Sequence, residues 1–218
     1  MPPDIRALIF DLDGVITNTV ELHSRSWAQL AHDVGLDLPP NYHNLVRGVS
    51  RRESLNRILD KREIDEETAQ EWMRRKNMYY LAHISFLTPK DILPGVVQLL
   101  DDIDAAGLKK GVASSSMNAQ FVLRKLELYD RFTAIADPTK VPRTKPEPDL
   151  FMWTAGALGV SPNEAMVIED AEDGVRAALA AGFRVVGLGD ANVQGAHLRL
   201  PSLENARLDA MLAALPND

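Results

Sequence analysis

Four apolar residues, Ala7-Leu8-Ile9-Phe10, stop abruptly at Asp11 and Asp13. A short continuous apolar run without inside-outside alternation reads as a strand buried on both faces. Such strands belong to parallel sheets covered by helices. Similar runs recur: Lys110-Gly111-Val112-Ala113 leads into Ser114-Ser115-Ser116, Ala165-Met166-Val167-Ile168 into Glu169-Asp170, and Arg184 to Leu188 into Gly189-Asp190. Helical patterns separate them. Pro94-Gly95 opens one, with Val96, Val97, Leu99, Leu100 and Ile103 on its apolar side and Gly107 as its stop. Others run from Asn118 to Leu128, from Asp149 to Leu158 before Gly159, and from Glu172 to Ala181 before Gly182. Strand, polar loop, helix and glycine in that order predict an α/β class, a doubly wound parallel sheet.

Residues 17–86 break the rhythm. Val20, His23, Trp27, Leu30, Ala31 and Val34 follow helical spacing, Asp65 to Phe86 is a second long helical pattern, and no convincing strand lies between. This stretch holds as many Lys plus Arg as Asp plus Glu, so the net charge of −7 falls on the remainder. The expectation is an α-helical cap, 17–86, inserted into a core made of 1–16 and 87–218.

That negative charge argues against nucleic acid or an anionic membrane as partner. No stretch is long and apolar enough to span a bilayer, and Met1 to Arg6 lacks the basic-then-apolar pattern of a secretory signal. The expected setting is cytoplasmic. There are no cysteines, which removes disulfides, thiolate nucleophiles and thiolate-zinc sites. With 31 Asp plus Glu against 5 His, a hard, oxygen-ligated ion such as Mg²⁺ is the expected metal.

Ligands of open α/β sheets bind beyond the carboxyl ends of the strands. Asp11, Asp13, Ser114 to Ser116, Glu169 and Asp170 fall there, and Lys145 lies in the proline-rich loop 142–148. Crowded carboxylates repel unless a cation sits among them. With a metal neutralising the phosphoryl oxygens, a carboxylate can attack phosphorus, and Asp11 is placed to do so. Asp13 can pass a proton to the leaving oxygen, while Ser114, backbone N–H groups and Lys145 bind the phosphoryl group. Each element also has an ordinary reading. Asp-x-Asp can form a turn, the serines and Glu169-Asp170 can cap helices, and a lone lysine is usually solvated. The occurrence of all four in order carries the argument.

Asp11-Leu12-Asp13-Gly14-Val15, Ser114, Lys145-Pro146 and Glu169-Asp170 together resemble the four motifs of the haloacid dehalogenase-like phosphotransferase superfamily, across nearly the whole chain. The resemblance implies a Rossmann-like fold with a helical cap. It also implies Asp11 as the phosphorylated nucleophile and Asp13 as general acid–base. Mg²⁺ would be held by Asp11, the Asp13 carbonyl and Asp170, with Glu169 in support, and phosphate by Ser114, Ser115 and Lys145.

Within the superfamily, residues 11–19, His23 with Trp27, Gly48-Val49-Ser50-Arg51, Arg75-Lys76-Asn77, Ala113 to Ser116 with Asn118, and Ala134 to Pro138 resemble the β-phosphoglucomutase family. That implies hexose phosphate substrates and a β-glucose 1,6-bisphosphate primer and intermediate; separately, a monomer is expected. Arg51, Ser116 and Asn118 would bind the distal phosphate. Thr19, His23, Trp27, Arg47, Gly48, Val49 and Ser50 would line the substrate or the hinge, with Thr19 and His23 coupling Asp13 to cap closure. Arg51 can equally be a surface arginine, and His23 a packed core histidine. Two residues depart from the family pattern: Met117 stands where many such mutases have lysine, and Asn18 replaces an acidic residue. A sugar-phosphate phosphatase is the alternative reading. A catalytically silent sugar-phosphate sensor is disfavoured because both Asp11 and Asp13 are present.

Overall fold

A computed structural model describes residues 4–189 and 193–215; Met1 to Pro3 and Asp190, named above, lie outside the described residues. The chain runs β1 (Ala7–Phe10), α1 (Val20–Val34), α2 (Tyr42–Leu45), α3 (Arg51–Leu59), α4 (Glu66–Ile84), α5 (Val96–Ala105), β2 (Lys109–Val112) and α6 (Ala119–Lys125). It continues through β3 (Ala134–Ile135), α7 (Asp149–Leu158), β4 (Ala165–Glu169), α8 (Glu172–Ala180), β5 (Arg184–Leu188), β6 (Leu198–Leu200) and α9 (Leu208–Ala214).

The six strands form one parallel sheet in the order β3-β2-β1-β4-β5-β6. Side chains alternate between its faces. Leu8, Phe10, Val112, Met166 and Ile168 enter one apolar cluster with α5, α6 and α9. Ala7, Ile9, Ala165, Val167 and Val185 enter another with α7 and α8. A strand without polar alternation is therefore what this position requires. α1, α3 and α4 close on a third cluster around Trp27, Leu30, Leu55, Ile58 and Met73. The carboxyl-terminal part of α4 reaches further, and Tyr80 and Ile84 belong to the sheet's cluster.

β3 and β6 lie outside the strands read from sequence. They contain only two and three residues, and β6 alternates around the exposed Arg199. α6 is shorter than its pattern, which predicts a helix to Leu128. It ends at Lys125, and Glu127 turns the chain at φ 59°, placing Leu128 in the core.

The register sets the rim. Phe10 pairs with Val112 on one side and Ile168 on the other, so β1, β2 and β4 end at one level. The chain leaves this rim for the helical insertion and returns beside itself. Thr17 bridges Ile92, its hydroxyl donates to the Asp91 carbonyl at 2.8 Å, and the Leu93 N–H donates to the Ile16 carbonyl at 2.9 Å.

Candidate active site

Asp11 is the first residue past β1, and its N–H continues the ladder by donating to the Ile168 carbonyl at 3.0 Å. Its buried carboxylate meets the Lys145 ammonium, which also donates to Glu169 Oε1 at 2.6 Å. Glu169 is fixed by its other oxygen, which accepts the N–H groups of Asp170 at 2.7 Å and Ala171 at 2.8 Å. Burial pushes the Asp11 carboxyl well up, Lys145 opposes this, and the nearby Glu169, Asp13 and Asp170 add to it. Burial alone would lower Lys145, yet Asp11 and Glu169 carry it above its ordinary value. Asp170 is pushed up to about 7 by burial and by Glu169, against Arg47 and Lys145.

Gly14 lets Asp170 approach. Its φ is 92°, and a Cβ there would stand 1.9 Å from Asp170 Oδ2. Side-chain-free backbone is required at that point.

Asp13 faces the insertion. Its Oδ1 accepts from the Thr19 hydroxyl and lies 3.5 Å from both His23 Nε2 and the Tyr80 hydroxyl, while Oδ2 accepts from Ser114 at 3.4 Å. Burial would raise its pKa, but His23, Thr19 and Lys145 outweigh burial and bring it to about 2. His23 is sandwiched. It stacks on Tyr80 at 3.9 Å, and its Nδ1 receives Lys76 Nζ at 2.7 Å. The ionised Asp13 carboxylate only accepts, so Nε2 carries the proton toward it and Nδ1 accepts from Lys76. Lys76 is buried over the Trp27 and Tyr80 rings. Burial and then Arg51 hold its pKa well below the ordinary value.

The cavity between insertion and rim is lined by Asp11, Asp13, His23, Arg47, Gly48, Val49, Arg51, Lys76, Ser115, Ser116 and Met117, among others. Ser115 donates to the Gly48 carbonyl at 3.1 Å, tying the insertion to the rim. Arg47 reaches Asp170 with Nη2, and its buried Nε has no hydrogen-bond partner. Two expected site residues point elsewhere. Trp27 is buried in the helical cluster. The Ser50 hydroxyl caps α3 by accepting the Glu53 N–H at 3.2 Å. Asn118 donates its amide to Asn77 Oδ1 at 2.9 Å, the same oxygen that accepts from Arg51 of the cavity wall.

Lys76, Asn77 and Tyr80 reach the site without having been assigned a role from sequence. The legible signal was Lys76 on the buried stripe Met73, Lys76, Tyr80, Ile84 of α4, since a lysine there has to be paired or put to use.

The donor set suits a hard divalent ion. Four carboxylates crowd one rim, and burial together with their neighbours' negative charge pushes the pKa values of Asp11 and Asp170 upward. Among the described residues no three acidic or histidine side chains form a ready cage. Lys145 and Arg47 hold the nearest oxygens. Mg²⁺ needs only one or two carboxylates beside substrate phosphate.

A parallel sheet with an aspartate pair, a lysine and two further carboxylates at its carboxyl rim is the arrangement of a phosphoryl-transfer family. The chain belongs to the haloacid dehalogenase-like hydrolases, whose family profile matches residues 8–188. More narrowly, it is 43% identical over 189 residues to β-phosphoglucomutase of Bacillus subtilis strain 168, spanning 85% of this chain and 84% of that one. The crystal structure of β-phosphoglucomutase from Clostridium difficile superposes with a TM-score of 0.92 at 39% identity, covering 96% of each chain. Hexitol phosphatase A of Escherichia coli K12 is 31% identical over 185 residues, covering 83% of this chain and 82% of its own.

Proposed function

We propose that the chain is a β-phosphoglucomutase of the cytoplasm, acting as a monomer on β-D-glucose 1-phosphate and glucose 6-phosphate. The cycle runs through an aspartyl-phosphate on Asp11 and a β-glucose 1,6-bisphosphate intermediate, which also serves as primer. Residues 17–86 act as the cap. Asp11, Asp13 and Asp170, with Glu169 in support, would hold Mg²⁺, which would neutralise charge on the phosphoryl oxygens.

The observation that carries this reading is the grip of the insertion on Asp13. Thr19, His23 and Tyr80 all reach Asp13 Oδ1, so its orientation depends on where the cap lies. An acid–base aligned by cap closure favours a sugar hydroxyl, which brings binding energy to close the cap, over water, which brings little.

At a pKa of about 2, Asp13 starts ionised and acts first as base. The sugar C6 hydroxyl attacks the phosphoryl group on Asp11, its proton passes to Asp13, and the bond from phosphorus to the Asp11 oxygen breaks. After the bisphosphate turns around, Asp11 attacks the other phosphoryl group. The departing C1 oxygen takes the proton back from Asp13. Lys145, Ser114 and Ser115 hold the transferring group, and Arg51, Ser116 and Asn118 the distal one. The closed cavity leaves about 40 Å³, room for a few waters against the roughly 300–1,000 Å³ of small-molecule sites. Substrate therefore enters, and the bisphosphate turns, with the cap moved outward.

The test is a paired assay on β-glucose 1-phosphate with Mg²⁺ and bisphosphate primer, reading glucose 6-phosphate and inorganic phosphate together. Isomer in large excess over released phosphate is expected. Stoichiometric phosphate without isomer would make the chain a sugar-phosphate phosphatase. Binding without either product would make it a sensor.

A further inference from the structure

Asn77 lies on α4, at the seam where helical insertion meets sheet rim. Its Oδ1 accepts Arg51 Nη2 at 2.7 Å and Asn118 Nδ2 at 2.9 Å. Both lone pairs of that oxygen are then used. Arg51 opens α3 in the insertion, and Asn118 precedes α6 in the core. One amide oxygen thus draws donors from the two halves of the molecule into hydrogen-bonding reach of one point, and so beside each other.

We propose that Asn77 is a positioning residue that presets Arg51 and Asn118 as a paired grip for the distal phosphate of the hexose bisphosphate. This rests on the mutase reading above. Among the described ion pairs Arg51 has none, whereas Arg47, Arg52 and Arg57 each face a carboxylate. It borders the cavity with Ser116 and Met117. A half-buried guanidinium without a counter-ion is costly, and burial lowers its pKa; an incoming phosphate relieves that cost. Of its five N–H donors, those not given to Asn77 remain for the anion.

Neutrality matters at position 77. An amide oxygen orients the guanidinium without cancelling its charge, whereas a carboxylate would compete with the phosphate. Met117 is exposed beside Asn118 and brings no charge, so the grip depends on preset direction more than on the number of cations. Holding a long flexible side chain before the ligand arrives removes part of the ordering cost of binding.

The experiment measures KM for β-glucose 1-phosphate and, separately, the rate of Asp11 phosphorylation by acetyl phosphate, which has no distal group. It uses the full chain with Mg²⁺, in wild type, Asn77→Ala, the near-isosteric Asn77→Asp, Arg51→Ala and Arg51→Ala/Asn77→Ala. We expect Asn77→Ala to raise the hexose-phosphate KM about tenfold, and Asn77→Asp to raise it at least as much while preserving the fold. Acetyl phosphate should be affected far less. In the Arg51→Ala background, Asn77→Ala should add little.

If Arg51→Ala raises KM while neither Asn77 variant does, the role of Asn77 is refuted and the distal-phosphate reading survives. If Arg51→Ala has no effect either, both fall. Equal losses on the two substrates would show that Asn77 is merely structural, and would overturn the proposal as well.

Discussion

Replacing Lys145 with methionine removes one positive charge from a place water does not reach, while nearly preserving side-chain length. Lys145 is fully buried, bridges Asp11 and Glu169, and has its ammonium 4.7 Å from the centre of the Phe151 ring. Breaking a buried pair by deleting one partner costs about 3–5 kcal/mol, because the other charge stays behind. Two terms offset part of this. Glu169 keeps both backbone N–H bonds, and a thioether packs well against an aromatic ring. A net loss of about 2–4 kcal/mol is expected, visible as a fall in melting temperature of roughly 5–15 °C for a chain of this size. The assay is urea unfolding at pH 7, first without divalent ions and then with saturating Mg²⁺. Mg²⁺ should restore more stability to the variant than it adds to wild type. Adding Asp11→Asn to Lys145→Met should recover most of the loss, since one of the stranded carboxylates is gone. A loss below about 1 kcal/mol, or no recovery in the double variant, would refute the view that Lys145 holds the rim together electrostatically.

Asp11→Asn alone should abolish turnover and aspartyl-phosphate formation while leaving the circular dichroism spectrum unchanged; residual wild-type turnover would reassign the nucleophile. Gly14→Ala should cost about 1–3 kcal/mol from the positive φ and the collision with Asp170, and should weaken Mg²⁺ binding at least about tenfold by calorimetry. Lys76→Met should cripple turnover by releasing His23, yet stabilise the fold by about 1–2 kcal/mol at pH 7, net of the lost cation–π contacts. The sign follows from the depressed folded-state pKa. Below that pKa the full penalty of the buried charge is present, and it fades as pH rises toward the unfolded value of about 10.5. Unfolding measured from pH 7 to 10 should therefore show the variant's advantage shrinking, and an advantage that grew with pH would refute the assignment.

The centre of the sheet was legible because burial on both faces leaves an unmistakable pattern. Ala7–Phe10 and Ala165–Ile168 contain no polar residue, and the first polar residue after each falls at the rim. The sheet edges were not legible, since two residues of β3 carry no periodicity. At the site, Asp11, Glu169 and Asp170 could be grouped from the strand ends alone, and Lys145 joined them through the order of the four motifs. The contacts of Arg47 with Asp170 and of Asn77 with Arg51 and Asn118 could not, because they arise only when the insertion folds back over the rim. Ser50 shows the converse. Its place before a charged helix was sufficient reason to cap it, and the hydroxyl does so.

β1 stands mid-sheet, between β2 and β4, but its two neighbours come late in the chain. During synthesis these four apolar residues wait through the whole insertion for β2, then through two more helices for β4. The insertion has its own apolar cluster and needs no strand, so it can collapse while the ribosome is still making the sheet. β1, and with it Asp11, is enclosed on both edges only when β4 arrives. A nascent chain halted before residue 165 would hold a folded cap and a β1 paired with β2 alone, its other edge open and sticky until β4 is made.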